Sequence, residues 1–434
     1  MIAEDATFAT AVSLTPLPLE RDSRAFRIAQ TLAESGFRSI VIEGQPSAQR
    51  FWGNEIEVRS AGAAGIERYA HAQHRIRPRG LVLALREGRG GALGEWALYL
   101  GFRGEEWWRN YHSARRSIPP AKLYYLHSFE MYRAVAPLSA QYGARVIYDA
   151  HDFYRGIIPT SLQHTFDRRR LRPFLDRLED RLLAQADAVV TVSEGVADLI
   201  EALCGRRPAV IRNCHDERQD QSPERDLRTE LGLTPAARLC VVVGNHKPGM
   251  AVDVAVAALA RLPDRFHVAF LGRGYDAVDL AGVDSALMPR LHFGYVVAPT
   301  EVVPTIRSAD FGLVLYEPYS ENYRRALPNG FFQVVAAGLP VVRARLPEIE
   351  RAIDGRVIGR CIERLDPAEL AQAILECSEQ AESLRSEVAD LARSLRWQDE
   401  ARQFLRLVEE VIVQAGGPVL APVVASAKSS LQRE

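Results

Sequence analysis

Ala186-Asp187-Ala188-Val189-Val190-Thr191-Val192-Ser193-Glu194-Gly195 joins a short strand directly to a helix. The run from Ala188 to Val192 is continuously small, apolar or β-branched, as expected of a strand covered on both faces. Ser193 then offers a side-chain oxygen to the amides that a first helical turn leaves unbonded, and Glu194 suits the positive end of the helix dipole. Strand, cap and helix in that order make one beat of a parallel sheet with crossover helices.

The beat repeats on both sides. Upstream, strands are expected at Phe8–Ser13, Arg38–Glu43, Leu123–Leu126 and Arg145–Tyr148, with another at Ala209–Ile211. Helices are expected at Arg24–Glu34, Glu130–Tyr142, 166–185 and Glu194–Leu203, where apolar residues recur at helical spacing. Between residues 45 and 120 the reading is one or two extra strands and a helix near 94–114, with Trp52, Trp96, Trp107 and Trp108. Residues 213–236 are polar and turn-rich (Asn213, Asp216, Asp220, Ser222, Pro223) and mark an interdomain linker. A second βα series then starts afresh, with strands at Leu239–Val243, His267–Leu271, Arg290–Phe293, Gly312–Tyr316 and Val341–Val342. Its helices fall at 250–261, 300–308 and 330–337, and further helices fill 366–415.

The expected architecture is therefore α/β, with two Rossmann-like parallel-sheet domains facing a central cleft, because ligands of open α/β sheets bind at the carboxyl ends of the strands. The domains are read as 1–213 (acceptor side) and 214–397 (nucleotide-sugar side). A helix over 398–415 is read as crossing back to the first domain, and 416–434 as a mobile tail.

Composition narrows the class. Of the residues, 47% are hydrophobic and 25% charged, the mix of a globular protein. Lys plus Arg total 54 against 55 for Asp plus Glu, a net charge of −1, so no global field draws in nucleic acid. No apolar stretch approaches the roughly 20 residues of a membrane-spanning helix, and the first residues carry acids where a secretory signal carries bases. Five cysteines without a CxxC pair fit a reducing, cytoplasmic setting.

Several strings, taken in order, resemble a known family. They are Tyr148-Asp149-Ala150-His151-Asp152-Phe153 after a strand, the 186–195 stretch, and Val210-Ile211-Arg212-Asn213. They continue with Phe270-Leu271-Gly272-Arg273-Gly274, His292-Phe293-Gly294-Tyr295-Val296 and Ser308-Ala309-Asp310-Phe311-Gly312-Leu313-Val314. Last come the run from Asn322 through Leu327-Pro328-Asn329-Gly330-Phe331 and Ala336-Ala337-Gly338-Leu339-Pro340. Together with Asp22-Ser23-Arg24 and Trp397, they resemble the GT-B glycosyltransferases of family 4, retaining nucleotide-sugar enzymes.

The resemblance implies a transferase that moves a sugar from a nucleoside-diphosphate donor to a glycan, lipid-linked or small-molecule acceptor, as in polysaccharide biosynthesis. It implies no cofactor and no metal. Such chemistry needs preorganised donors aimed at a departing phosphate. Leu327-Pro328-Asn329-Gly330-Phe331 suits this role, since Pro tolerates a helix start, Asn can cap, and Gly admits a close ligand. The second phosphate element is expected at Gly244 and Asn245, with Lys247 as its cation and Arg273 and Arg324 as further charge. Two departures stand out here: Asn245 and Met250 replace the family's Arg and Lys. The family's paired glutamates fall at Arg325 and Gln333, and Gln333 keeps hydrogen bonding without the charge. Tyr295, Val296, Glu321 and Asn322 complete the expected donor set, and Glu317 is a further candidate.

On the first domain His151 and Asp152 sit just past a strand end, as candidate catalytic groups. Asp22 with Arg24, and His127 with Glu130, are candidates for the acceptor surface. Arg168, Arg169, Arg170 and Arg172 read as a solvated basic face. Peripheral contact with the cytoplasmic face of the inner membrane is the minority reading for that face and for Trp107-Trp108. Two competitors remain open. One is a non-catalytic GT-B partner with weakened donor binding, suggested by Asn245, Met250 and Gln333. The other is a nucleotide-sugar 2-epimerase on the same architecture.

Overall fold

The computed structural model describes residues 9–50, 52–61, 84–85, 87–106, 114–156, 166–220 and 225–413. Phe8, Trp107, Trp108, Ser222, Pro223 and the segment 416–434 lie outside these described residues. The chain forms two parallel sheets. The first has β1 (Thr10–Thr15), β2 (Arg38–Glu43), β3 (Ile56–Ser60), β4 (Leu123–Leu126), β5 (Arg145–Asp149), β6 (Ala188–Thr191) and β7 (Ala209–Val210), in the order β3-β2-β1-β4-β5-β6-β7. The second has β8 (Arg238–Val243), β9 (Phe266–Leu271), β10 (Leu291–Tyr295), β11 (Phe311–Val314), β12 (Val341–Ala344) and β13 (Gly359–Ile362), in the order β10-β9-β8-β11-β12-β13.

In both sheets the order reverses beside the first strand, between β1 and β4 and between β8 and β11. A reversal of this kind opens a crevice at the carboxyl ends of the strands, because neighbouring crossovers leave toward opposite faces. The loops that follow β1, β4, β8 and β11 are therefore the ones placed to build a site.

The first sheet alternates cleanly. Val12, Leu14, Tyr124, Leu126, Val146, Tyr148 and Val189 pack on one face, while Ala11, Leu123, Tyr125, Ile147, Ala188 and Val190 pack on the other. Helix α1 (Ser23–Glu34) covers the second face, its start fixed by Asp22, whose carboxylate accepts from the Ala25 amide at 2.9 Å. The first face is covered by α2 (Gly91–Glu106), α3 (Tyr132–Tyr142), α4 (Arg172–Gln185) and α5 (Glu194–Cys204). Ser193 caps α5 by accepting from the Val196 amide, and Gly205 ends it in the left-handed conformation at φ 72°.

The second domain is one continuous core around β8–β13. Its helices include α6 (Val252–Leu259), α7 (Asn329–Ala336), α8 (Pro347–Ile353), α9 (Pro367–Glu379) and α10 (Ala381–Ser394). The last helix, α11 (Trp397–Val413), leaves that domain and buries Trp397, Ala401, Phe404, Val408 and Val411 against the second face of the first sheet. The Trp397 indole also donates to Thr31 Oγ1 of α1 at 3.0 Å. Burying Phe404, Val408 and Val411 contributes roughly 1.5–3 kcal/mol each.

Several expectations needed correction. The first strand runs 10–15 instead of 8–13, set by its pairing of Thr10 with Arg38 through Thr15 with Glu43. Among the described residues of the 45–120 region there is one strand, β3, within the expected one or two, and the helix expected near 94–114 runs from Gly91 to Glu106. Strand β13 and helix α8 were not anticipated. The connecting segment is packed among its described residues. His215 and Asp216 are buried, His215 Nε2 lies 2.9 Å from Asp220, and the Trp397 amide donates to the His215 carbonyl at 3.1 Å.

Candidate functional site

The carboxyl ends of the two sheets face one another across a cleft of about 340 Å³. The first domain contributes His151 and Asp152 after β5, with Val192 and Val196 at the turn into α5. The second contributes Gly244, Asn245 and Lys247 after β8, Tyr316 after β11, and Asn322, Leu327, Pro328, Asn329 and Gly330 leading into α7. The two catalytic candidates and most of the donor candidates are thus brought together.

Close approach of backbone explains the glycines. A Cβ on Gly330 would stand 2.4 Å from the Val243 carbonyl oxygen, so only glycine lets the start of α7 pack against the end of β8. Gly272 is similar: with φ at 148°, its Cβ would come 2.2 Å from the Gly244 oxygen. Asn329 and Gly330 of the first turn of α7 line the cleft, with amides that have no helical acceptor. Such a turn favours an anion.

Asn329 does not cap this helix, contrary to the expectation. Pro328 holds the extended N-cap position, at φ −73° and ψ 147°, and Asn329 is the first helical residue. The Asn329 side-chain oxygen accepts instead from the Asn213 amide of the first domain, and Asn213 in turn accepts from the buried Arg27. Burial brings the Arg27 guanidinium down to about 10.

Cations are few in the cleft. Lys247 is exposed, with its Nζ 5.8 Å and 5.6 Å from the ring centroids of Tyr316 and Tyr323. No acid among the described residues pairs with it. Asn245 does not substitute for a cation, because its side-chain oxygen accepts from the Arg273 amide at 2.9 Å and pins the neighbouring glycine loop. Met250 is buried in the core. The side chain of Arg273 is exposed outside the cleft lining, and Arg324 is paired with Glu321, also outside it. Tyr295, Val296 and Gln333 likewise do not line the cleft, and Phe331 is wholly buried in the second core.

Asn322 clasps the two domains. Its Oδ1 accepts from the Phe153 amide at 2.7 Å and its Nδ2 donates to Asp152 Oδ1 at 3.0 Å. Ser193 Oγ donates to the Arg325 carbonyl at 3.1 Å.

The expected acceptor residues form the floor of the first domain instead of an open surface. Arg24 on α1, and His127 and Glu130 just after β4, are buried. Arg24 Nε donates to Asp149 Oδ2 at 2.6 Å, and the Tyr125 hydroxyl donates to the same oxygen at 2.8 Å. His127 Nδ1 lies 3.6 Å from that oxygen, and burial brings its imidazole down to about 4, so it is neutral at pH 7. Asp22 is half-buried and accepts from Thr15 Oγ1 at 2.6 Å. Burial pushes its carboxyl up, but the nearby His127 and His151 and these hydrogen bonds outweigh that and hold it below its usual value. Glu130 is pushed up to about 8 and Glu179 to about 7, both chiefly by burial.

A second cavity of about 370 Å³ lies beside the linker, lined in part by Arg207, Arg212, Arg351, Glu194, Glu348 and Glu400. Its charges satisfy one another: Arg212 with Glu400 at 2.6 Å, Arg351 with Glu348 at 3.1 Å, and Arg207 with Glu194 at 2.6 Å. That leaves nothing for a ligand to neutralise. The basic run is similarly occupied, with Arg172 paired to Asp176 at 2.8 Å and Arg170 stacked 4.3 Å over Trp96. Among the described residues no helix is long and apolar enough to cross a membrane, and no group of three or more His, Cys, Asp or Glu is arranged to hold a metal ion.

Val243, Tyr316, Tyr323, Ala326, Arg325 and Asn213 also line the cleft and were not anticipated as site residues. Two of them carried a usable signal, since Val243 ends β8 and Tyr316 follows β11, the two strands at the reversal.

Residues 22–214 match a family model described as a glycosyl transferase 4-like domain, and residues 237–380 match one described as glycosyl transferases group 1. A D-inositol 3-phosphate glycosyltransferase of Catenulispora acidiphila is 28% identical over 214 residues, covering 45% of this chain and 49% of that protein. A D-inositol 3-phosphate glycosyltransferase of Mycobacterium sp. (strain JLS) is 27% identical over 206 residues, covering 45% and 46%. The chain spans about half the length of these curated relatives. Among solved structures, sucrose-phosphate synthase from Thermosynechococcus elongatus superposes with a TM-score of 0.64 at 15% identity, over 93% of this chain and 100% of that one. The Anabaena protein HepE in complex with UDP-glucose superposes at 0.62 and 14% identity, over the same shares of the two chains. At such identity the likeness shows the fold.

Proposed function

The chain belongs to the GT-B glycosyltransferases, and from that premise we propose that it transfers a sugar, with retention and without a metal ion, from a nucleoside-diphosphate sugar to a hydroxyl acceptor. One observation carries this reading. A cleft between two domains ends in the first turn of α7, with an unpaired Lys247 beside it and His151 and Asp152 opposite.

Negative charge grows on the departing diphosphate as the glycosidic bond breaks. Lys247 and the first amides of α7 are placed to receive it, a role that a divalent cation fills in other transferases. His151 Nδ1 is buried, which leaves Nε2 as the nitrogen for the donor sugar. In a retaining transfer of this kind the leaving phosphate takes the acceptor proton, so no protein nucleophile is needed. Asp152, held by Asn322, orients the clasp around the sugar.

The acceptor is a glycan, a lipid-linked or a small molecule. Two relatives are named for inositol phosphate, and a structural neighbour for a sugar phosphate, so a phosphorylated small molecule is the first to try. The protein is expected to act in the cytoplasm, at most touching the membrane from that side.

Calorimetric titration with UDP and GDP, followed by hydrolysis of a panel of nucleotide sugars with and without EDTA, tests the proposal. Binding of at least one diphosphate and turnover insensitive to EDTA are expected. The second reading, a non-catalytic partner, draws on Asn245 being consumed by the Arg273 amide and predicts neither.

A further inference from the structure

We infer that Arg325 is a specificity residue for a second anionic group on the substrate, a carboxylate or a phosphate monoester distinct from the donor's diphosphate. The inference rests on the transferase reading and names the substrate class of the same cleft.

The backbone of Arg325 is fixed from both sides: its amide donates to the Glu321 carbonyl at 3.2 Å, and its carbonyl accepts from Ser193 Oγ across the domain boundary. Its side chain reaches the first domain. A Cβ on Gly195 of α5 would lie 2.7 Å from Arg325 Cδ, so the missing side chain at Gly195 makes room for the arginine stem. Arg325 therefore spans the two domains at the wall of the cleft, where a sugar held by one half meets an acceptor held by the other.

Its guanidinium has no ion-pair partner within 4.0 Å among the described residues. The neighbouring arginines are spoken for, Arg324 by Glu321 and Arg351 by Glu348. Glu348 is the acid nearest the stem, at 2.5 Å from the same Gly195 Cβ position, yet its Oε1 is taken by Arg351 at 3.1 Å. Within the cleft Asp152 is bonded to Asn322. A planar fork of donors left open on a cleft wall fits a carboxylate or phosphate bidentately.

The diphosphate does not supply that anion. Lys247 lies over Tyr316 and Tyr323 on the second domain, whereas the Arg325 stem crosses to α5. The anion then comes from the sugar of the donor, as a uronate, or from the acceptor, as a phosphate monoester.

The test uses the full-length protein and its Arg325→Gln and Arg325→Lys variants, with thermal midpoints recorded to confirm folding. UDP and GDP binding to the wild type comes first, and if neither binds, the transferase reading falls and this inference with it. Affinities for UDP-glucuronic acid against UDP-glucose, and for glucose 6-phosphate against glucose in the presence of UDP, are then compared. The wild type is expected to prefer one charged member. Arg325→Gln is expected to reduce that preference about ten- to hundred-fold, with partial recovery in Arg325→Lys. Loss in the UDP-glucuronic acid pair assigns the anion to the donor, and loss in the glucose 6-phosphate pair assigns it to the acceptor. If UDP binds but neither pair shows a preference, or Arg325→Gln weakens charged and neutral members alike, the assignment to Arg325 is overturned.

Discussion

The floor of the first domain and the wall of the second treat their ionisable groups in opposite ways. On the floor, Arg24, Asp149, Tyr125 and His127 are buried and turned toward one another, and Arg24 and Asp149 expose 4% and 0% of their side chains. On the wall, Lys247 and Arg325 reach the cleft without acidic partners among the described residues. A buried charge must be compensated from within, since desolvation costs several kcal/mol per ion. A charge meant for a ligand must be left uncompensated and wet until the ligand arrives. On the proposed function, the contrast separates groups that hold a domain's shape from groups that would recognise a substrate, although the sequence marks both with equally suggestive strings.

The largest expected effect is on the floor. Asp149→Ala strands the Arg24 guanidinium in the core and is expected to lower unfolding free energy by about 3–5 kcal/mol in urea denaturation. A loss under about 1 kcal/mol would show that the floor is not a structural pair, and the contrast would break.

A second test concerns pH. Burial raises Glu130 from 4.5 to about 8, so the folded state holds a proton that the unfolded state gives up across that interval. This contribution is complete below pH 4.5 and is lost as pH rises toward 8. Thermal unfolding of Glu130→Gln over this range is expected to fall less steeply with pH than the wild type, by about 4 kcal/mol at pH 8. Parallel curves would mean that Glu130 ionises freely.

The smallest stability effect belongs to the wall. Lys247→Ala is expected to leave unfolding within about 0.5 kcal/mol of wild type while weakening UDP about ten- to hundred-fold by calorimetry. Equal losses in stability and binding would erase the distinction between wall and floor.

The architecture was legible because period and punctuation agree. The continuous apolar run of β4 and the Ser193 cap each state their element locally, and strands 38–43 and 123–126 matched residue for residue. The short strand β13 was missed because Gly359-Arg360-Cys361-Ile362 has neither alternation nor a β-branched run. Gly330 could be read as a close-approach position, but what approaches it is the Val243 carbonyl of its own domain as much as any ligand. Arg24 and His127 were placed on a surface because a strand end points to a site. Whether the following residue faces outward or folds beneath a helix depends on packing from α1 and β5, which no local pattern records. In the sequence Arg325 is only a departure from a family pattern, and its open guanidinium is a property of the three-dimensional arrangement alone.

Helix α11 carries a consequence for synthesis of the chain. The part of the first sheet's second face around Tyr125, Ile147 and Val190 that α1 leaves open stays uncovered until Trp397 through Val411 have emerged. The amino-terminal lobe is thus the first to be translated and the last to be sealed. Cutting the polypeptide near residue 213 would yield a fragment with a greasy, self-associating flank instead of an autonomous unit.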